Sequence, residues 1–163
     1  MKTIKLTLTA MLAGLSFVLC VFVHFPQMAP FQHFVNVLAA VFVGPWYGSL
    51  AGIICGTMRI VLNGMDIQAV IGAMWGPVFG GLLYRKTKNI YLCGVGEVFG
   101  TGIVSAVTVW PFMKFVYGLD VPPYFYIPFY TPSAIMGAIM GVGVILILKR
   151  SGTLKHLMNQ IEK

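Results

Sequence analysis

Long apolar stretches alternate along the chain with short breaks that contain charged residues, prolines or glycines. Six such stretches occur in succession: Leu6–Val23, Phe34–Pro45, Gly48–Leu62, Ile67–Tyr84, Ile90–Trp110 and Thr131–Leu148. A helix that crosses a hydrocarbon core of about 30 Å takes about 20 residues. The pattern therefore predicts an all-α membrane protein with six transmembrane helices, of which the second and third are short. A four-span arrangement, in which the second and third stretches are fused or re-entrant, is the alternative.

The breaks include two loops rich in proline and aromatic residues, residues 25–33 and 111–130, both expected on the outer side. The second loop would be either a lid over an outer pocket or an anchor at the membrane interface. Four apolar residues near the end share one helical face: Leu154, Leu157, Met158 and Ile161. They predict an amphipathic helix on the inner membrane surface. We therefore expect one six-helix domain, residues 1–148, and a cytoplasmic tail, residues 149–163.

Basic residues set the predicted orientation. Nine of the eleven Lys and Arg residues lie in three clusters: Lys2/Lys5, Arg85/Lys86/Lys88 and Lys149/Arg150/Lys155/Lys163. Because cytoplasmic loops carry an excess of Lys and Arg, all three clusters are expected inside. Four spans then separate the first two clusters and two separate the last two, which places both termini in the cytoplasm. The expected location is a bacterial plasma membrane that the chain crosses several times.

Composition indicates that the solvent is lipid. The 163 residues are 58% hydrophobic and 9% charged, with a mean hydropathy of +0.88, whereas a soluble domain is about 25% charged. The net charge of +7 is interpreted as an attraction to the anionic inner leaflet of the membrane and not as a sign of nucleic-acid binding. The first apolar stretch is too long for a typical signal-peptide core, so we expect it to be a retained span.

The sequence carries no catalytic signature. It has no His-Glu-x-x-His, no Walker glycine-lysine loop and no paired carboxylates within one span. Its three cysteines lie in apolar stretches and are expected to be buried hydrophobes rather than a disulfide or metal set. An enzyme is therefore disfavoured, no cofactor or metal is expected in this chain, and any ATP that powers transport must be hydrolysed elsewhere.

Small residues recur at four-residue spacing, which lets helix backbones approach closely. The rows are Gly44/Gly48/Gly52/Gly56, Gly72/Gly76/Gly80, Gly96/Gly100 and Gly137/Gly141. We interpret these rows as packing surfaces between helices of the same chain. Ala10 and Gly14 form a similar pair near the cytoplasmic end of the first stretch. This pair is a candidate surface for docking another membrane protein.

Glu97 is the most unusual residue because it lies inside the fifth apolar stretch. An ionisable group at that depth costs a few kcal/mol and is a functional candidate by default. Three roles remain open: contact with a polar ligand, relay of protons, and an internal hydrogen bond or ion pair, for example with Arg59. Arg59 itself is expected to extend toward the outer membrane interface.

Other candidate ligand contacts lie in the outer half. Gln32, His33 and Asn36 precede or begin the second stretch and present two amides and an imidazole, which would contact a ligand or serve as helix caps and hydrated surface groups. Trp75 lies too deep for an interfacial belt and is either core packing or the wall of an aromatic-ligand pocket. The remaining candidates are aromatic residues near the second loop, which would line the pocket or anchor the interface: Trp110, Tyr126 and Tyr130.

Four short segments together resemble one known family. They are Gln32–Val37 (QHFVNV), Gly44–Tyr47 (GPWY), Gly80–Thr87 (GGLLYRKT) and Gly96–Gly102 (GEVFGTG). The combination resembles the ThiW family, which comprises substrate-binding (S) subunits of energy-coupling-factor (ECF) vitamin transporters. The resemblance covers roughly residues 6–148.

The resemblance implies a six-helix S subunit that captures hydroxyethylthiazole, the thiazole precursor of thiamine, on the outer side. It also implies association with a transmembrane coupling subunit and two cytoplasmic ATPases that drive toppling and inward release. In such subunits a small-residue motif on the first helix faces the coupling protein, and Ala10 and Gly14 match it, with glycine in place of the usual second alanine. Two alternatives remain: an S subunit for thiamine or its pyrimidine precursor, and a proton-coupled secondary transporter that uses Glu97.

Overall fold

The computed structural model describes residues 2–22 and 29–161, and within these ranges the chain is all helical, with no strand. Seven helices occur in order: α1 Lys2–Phe22, α2 Pro30–Phe42, α3 Pro45–Asn63, α4 Gln68–Thr87, α5 Ile90–Phe115, α6 Ile127–Arg150 and α7 Thr153–Ile161. Within α5, Gly100–Ser105 forms a π-helical section. The all-α prediction is confirmed for the described ranges.

Three helices are long and apolar enough to cross a membrane: Thr3–Phe22 of α1, Ile90–Phe115 and Ile127–Arg150. The α2 helix is apolar, but its 13 residues extend only about 20 Å, less than a hydrocarbon core of about 30 Å. The α3 and α4 helices have 19 and 20 residues, and their glycines and polar residues lower their hydropathy. The six-span topology and the cytoplasmic termini stay predictions.

The α2 helix lies at the centre of the bundle, where it packs against α1, α3, α4, α5 and α6. Ten of its 13 residues are buried, including Gln32, His33 and Asn36. Buried polar side chains need hydrogen-bond partners, because burial without one costs free energy. The helices around α2 must therefore supply polar groups at these positions, and α3, α4 and α5 do so.

The glycine rows do pack within the chain, as predicted. An added Cβ at Gly52 or Gly56 of α3 would meet the α4 backbone at Ala73 and Ala69. At Gly137 of α6, an added Cβ would meet α2, including the side chain of His33. The absence of a side chain at these positions brings the helix backbones close together.

Several predicted boundaries were wrong, because prolines were read as helix breakers. The α2 helix begins at Pro30 rather than Phe34, since proline is well tolerated in the first turn of a helix. The predicted loop 111–130 shortens at both ends, because α5 continues through Pro111 to Phe115 and α6 begins at Ile127. In the predicted loop 25–33, residues 25–28 lie outside the described ranges.

The tail forms the predicted amphipathic helix, α7. Its apolar face packs against the end of the bundle, where Leu154 is buried in a cluster that contains Ile145 of α6 and Val41 of α2. Lys155 and His156 are exposed. The tail is therefore attached to the helical domain by its own apolar contacts.

Candidate functional site

Glu97 is the centre of a buried hydrogen-bond network between α2 and α5. Its side chain is 0% exposed. Its Oε1 atom accepts hydrogen bonds from Asn36 Nδ2 at 3.0 Å and from Thr101 Oγ1 at 3.0 Å, and it lies 3.1 Å from His33 Nδ1. The imidazole donates to Oε1 in the tautomer that carries a hydrogen on Nδ1. Glu97 therefore has internal hydrogen bonds, one of the roles left open by the sequence.

The helical repeat explains why these groups meet. His33 and Asn36 are three residues apart on α2, and Glu97 and Thr101 are four apart on α5, so each pair shares one helix face. Asn36 Nδ2 also donates to the backbone oxygen of Ala73 at 3.2 Å. One amide group thus connects α2 with α4 and α5.

Gly76 of α4 makes room for the Glu97 carboxyl group. A Cβ added at Gly76 would collide with all three atoms of that carboxyl group. One turn earlier, a Cβ at Gly72 would lie 3.5 Å from the ring of Tyr130. This face of α4 therefore has no side chains at two successive turns, and groups from α5 and α6 fill the space.

Four buried side-chain atoms have no hydrogen-bond partner within the described part of the protein: Gln32 Nε2, Trp75 Nε1, Glu97 Oε2 and Ser105 Oγ. Nearly all buried polar groups in folded proteins are paired, so each exception calls for an explanation. They belong to α2, α4 and α5, the helices that meet around Glu97. We name the set Gln32, His33, Asn36, Trp75, Glu97, Thr101 and Ser105 the polar column; all are buried except Trp75, which is half-buried.

One turn closer to the start of α4 than the Glu97 contact, Tyr130 joins α6 to α4, and Tyr126 lies beside it. Tyr130 donates from its hydroxyl to Gln68 Oε1 at 3.2 Å. Tyr126 is buried and packs beside Tyr130, with ring centroids 6.1 Å apart. Burial raises the pKa of the Tyr126 hydroxyl and the Asp66 carboxylate raises it further. This hydroxyl therefore stays protonated near neutral pH.

Arg59 lies inside the bundle rather than at the interface, which corrects the expectation that it extends outward. It is 6% exposed, and its Nη1 donates to Gln32 Oε1 at 2.5 Å. The suggested pairing with Glu97 is replaced by this bond to an amide. A buried guanidinium needs such an acceptor, because unpaired buried charge is strongly unfavourable.

The two candidate tryptophans lie in different surroundings. The Trp75 ring packs near Phe79, with ring centroids 6.3 Å apart, and its N–H has no partner in the described residues. Trp110 donates from Nε1 to the backbone oxygen of Val121 at 2.6 Å. Trp110 therefore attaches the 116–126 connection to α5, and it does not join the polar column.

The small-residue pair on α1 faces away from the rest of the chain. Ala10 is exposed, and a Cβ added at Gly14 would meet nothing within 4 Å. A neighbouring face of α1, with Thr9, Ala13 and Ser16, is buried, and α1 packs against α2 and α3. The α1 stripe, Ala10 and Gly14, is thus left free by the packing of the described residues.

Sequence reasoning missed Thr101, Ser105 and Gln68 as members or neighbours of the site. Thr101 and Ser105 come after Glu97 at intervals of four residues, and this spacing was available in the sequence. Gln68 gave no such signal, because its contact with Tyr130 depends on how α4 and α6 pack. The structure joins His33 and Asn36 to Glu97, while Gln32 on the same helix pairs with Arg59 and Trp75 packs near Phe79. Tyr130 lies one turn of α4 away, against Gly72, with Tyr126 beside it, and Trp110 lies apart.

Comparison with known proteins identifies the family. The sequence model described as "Thiamine-precursor transporter protein (ThiW)" matches residues 6–151. The chain belongs to the ThiW family. No curated protein and no solved structure matches the chain. The predicted resemblance is therefore confirmed, and this ThiW protein belongs to a family of thiamine-precursor transporters with helices long and apolar enough to cross a membrane.

The polar column of this ThiW protein presents both donors and acceptors that have no partner among the described residues. Its unpartnered atoms include an acceptor at Glu97 and donors at Gln32 and Trp75, while the Ser105 hydroxyl both donates and accepts. Fixed donors and acceptors between apolar helices are typical of small-molecule sites. The arrangement can orient a small ligand that carries both a hydrogen-bond donor and an acceptor.

Proposed function

We propose that this ThiW protein is the membrane-embedded substrate-capture (S) subunit of an ECF transporter and that its substrate is hydroxyethylthiazole. The unpartnered atoms of the polar column carry the proposal. A thiamine-precursor transporter needs a site for a small heteroaromatic molecule, and buried donors and acceptors without partners are groups that such a ligand would satisfy.

The chemistry of hydroxyethylthiazole complements the polar column. Its hydroxyl group would donate to Glu97 Oε2, and its ring nitrogen would accept from Gln32 Nε2 or Trp75 Nε1. Trp75 carries one of these atoms, and Tyr130 packs against Gly72, one turn of α4 from the glycine that faces Glu97, so the flat ring would stack on Trp75 or Tyr130. The site would be selective, because an analogue without the hydroxyl would leave a buried acceptor unpaired.

Energy would come from partner proteins. The sequence has no nucleotide-binding motif, so an ATP-driven mechanism requires separate ATPases. We propose that the α1 stripe docks on a transmembrane coupling subunit, which in turn binds two cytoplasmic ATPases. Ala10 and Gly14 leave a shallow surface there, and shallow small-residue surfaces allow close contact between membrane helices. The arrangement assumes six spans in a bacterial plasma membrane, with both termini in the cytoplasm.

A proton-coupled carrier is the second candidate. The observation that favours it is the contact between Glu97 and His33, at 3.1 Å with both side chains buried. Buried acid and histidine pairs within membrane spans recur in proton-driven transporters. In that function the protonation of the pair would be coupled to substrate movement, and no partner protein would be needed.

Uptake of radiolabelled hydroxyethylthiazole into liposomes separates the two functions. Vesicles would hold either the full chain alone or the chain with the coupling subunit and both ATPases. The proposal expects uptake only in the complete complex, dependent on ATP inside and unaffected by a protonophore. Uptake by the chain alone that collapses with the proton gradient would instead establish the carrier.

A further inference from the structure

An apolar groove runs along the surface between α5 and α6. Its volume is about 790 Å³, and its walls are mostly aliphatic and aromatic, among them Val95, Phe99 and Ile103 of α5 and Ile135, Ile139 and Leu146 of α6. Several of these side chains are well exposed, including Val95 at 59% and Ile139 at 68%. Lipid tails are as apolar as leucine, so such a groove suits an acyl chain.

A second, smaller cleft with both polar and apolar walls adjoins the predicted cytoplasmic end of this groove. It has a volume of about 270 Å³ and is lined by Thr87, Lys88, Asn89, Ile90, Tyr91, Leu146 and Lys149. Tyr91 and Leu146 line both cavities. The two cavities therefore adjoin, with Lys88 and Lys149 at one end and mostly aliphatic walls along the rest.

We infer that this composite groove binds one anionic phospholipid of the cytoplasmic leaflet. The phosphate headgroup lies between Lys88 and Lys149, and an acyl chain extends along the α5–α6 groove. Charge complementarity selects this occupant, since the basic end is expected at the inner surface, where anionic lipids attract lysine side chains. The inference goes beyond substrate capture and concerns a different part of the molecule from the polar column.

The dimensions agree with this occupant. From Tyr91 to Ile103 the α5 wall rises about 18 Å at about 1.5 Å per residue. One leaflet contributes about half of a hydrocarbon core of about 30 Å. An acyl chain that begins at the lysines therefore lies within the groove over its full length. Tyr91, 63% exposed at the junction, lies at the level where aromatic residues contact headgroups.

Local packing forms the floor of the groove. A Cβ added at Gly94 would meet the Val142 side chain at 2.7 Å, so the two helices touch there. At Gly143 an added Cβ would meet nothing within 4 Å, which leaves the groove open beside that contact. The α1 stripe lies on another helix, one that packs against α2 and α3. A lipid between α5 and α6 therefore leaves the α1 stripe accessible.

Lipid retention by the full chain tests the inference. The protein is incubated in mixed nanodiscs of phosphatidylglycerol and phosphatidylcholine, extracted in mild detergent, and analysed by native mass spectrometry for bound lipid. One phosphatidylglycerol per chain is expected. In the double variant Lys88→Gln/Lys149→Gln, its retention should fall by roughly tenfold or more, since each lysine near an anionic surface strengthens binding about fivefold. Phosphatidylcholine retention should not change.

Two further variants keep the result interpretable. Arg150→Gln/Lys155→Gln removes the same charge from the same region but outside the cleft, and it should retain phosphatidylglycerol as the native chain does. Gly143→Leu fills the groove while leaving both lysines, and it should lose the lipid.

Three outcomes would overturn the inference. In the first, both lipids are retained equally by the native chain. In the second, the two double variants lose phosphatidylglycerol to the same extent, which indicates net charge alone. In the third, soluble glycerol 1-phosphate displaces the lipid, which indicates a headgroup site without a chain site.

Discussion

Glu97 of α5 and His33 of α2 are in contact through Oε1 and Nδ1 at 3.1 Å, with side-chain exposures of 0% and 7%. The contact joins the central helix to the helix that carries the π section, and π sections often occur at functional sites. Because Oε1 also accepts from Asn36 and Thr101, one carboxyl oxygen is held from two helices. The other oxygen has no partner among the described residues. Substitutions around this carboxyl group give the sharpest tests.

Gly76→Ala should disrupt the site directly, because the added methyl group would collide with the Glu97 carboxyl group. We expect affinity for hydroxyethylthiazole to fall at least about tenfold, or about 1.4 kcal/mol, together with a lower unfolding temperature. Isothermal calorimetry and thermal unfolding in detergent measure both effects.

Gly143→Ala is the matched control, since a methyl group there meets nothing within 4 Å. Alanine is a better helix former than glycine by up to about 1 kcal/mol, so this variant should be equally or more stable and should bind normally. Equal behaviour of the two variants would mean that the contact between Gly76 and Glu97 does not matter.

Trp75→Phe and Trp110→Phe should have opposite effects. Trp75→Phe removes an indole N–H that has no protein partner in the described residues, so stability should hold while affinity for hydroxyethylthiazole falls about tenfold, or about 1.4 kcal/mol. Trp110→Phe removes the bond to Val121, so stability should fall by about 1 kcal/mol with affinity retained. Calorimetry measures the affinity of both variants, and thermal unfolding measures their stability. A loss of affinity in Trp110→Phe and of stability in Trp75→Phe would instead place Trp110 in the site.

Arg59→Gln should destabilise the protein strongly. The change removes the buried guanidinium that donates to Gln32, and hydrogen bonds to charged groups contribute about 2 kcal/mol. Lys114→Gln is the control, because Lys114 pairs at 3.7 Å with an Asp120 side chain that is 96% exposed, and exposed pairs contribute little. Denaturation in detergent compares the free energies of unfolding of the two variants. A larger loss for Lys114→Gln would refute the buried role of Arg59.

Ala10→Leu should separate binding from transport. Ala10 is exposed on α1, so leucine fits without disturbing the bundle but blocks close approach of a partner helix. We expect unchanged calorimetric binding and loss of ATP-dependent uptake. Val18→Leu, also exposed on α1 but two turns away, should transport normally. Normal transport by Ala10→Leu would remove the α1 stripe as the docking surface.

Local patterns in the sequence predicted the helices and marked the residue at the centre of the buried hydrogen-bond network. Apolar stretches located the helices, four-residue spacing located the glycine contacts, and the isolated carboxyl group of Glu97 marked the centre of the network. Helix ends were less predictable, because Pro30 and Pro128 lie in the first turn of a helix, where proline is tolerated. The α5 helix also continues through Pro111, although an interior proline usually ends or kinks a helix.

Contacts between distant helices could not be predicted from the sequence alone. Arg59 was expected at the interface, yet it pairs with Gln32 across 27 positions of sequence. Asn36 and Glu97 are 61 positions apart. Such pairs depend on how the helices are rotated and offset, which hydropathy does not specify. Trp110 illustrates the same limit, since its partner is a backbone oxygen in a connection without a periodic pattern.

Calorimetry on the purified full chain, with hydroxyethylthiazole, thiamine and the pyrimidine precursor as separate ligands, tests the central claim most directly. We predict selective binding of hydroxyethylthiazole by the chain alone, without coupling subunit or ATPases, and a loss of at least about tenfold in Gly76→Ala, or about 1.4 kcal/mol. Binding of thiamine or the pyrimidine in preference to the thiazole, or no binding by the folded chain, would contradict the claim.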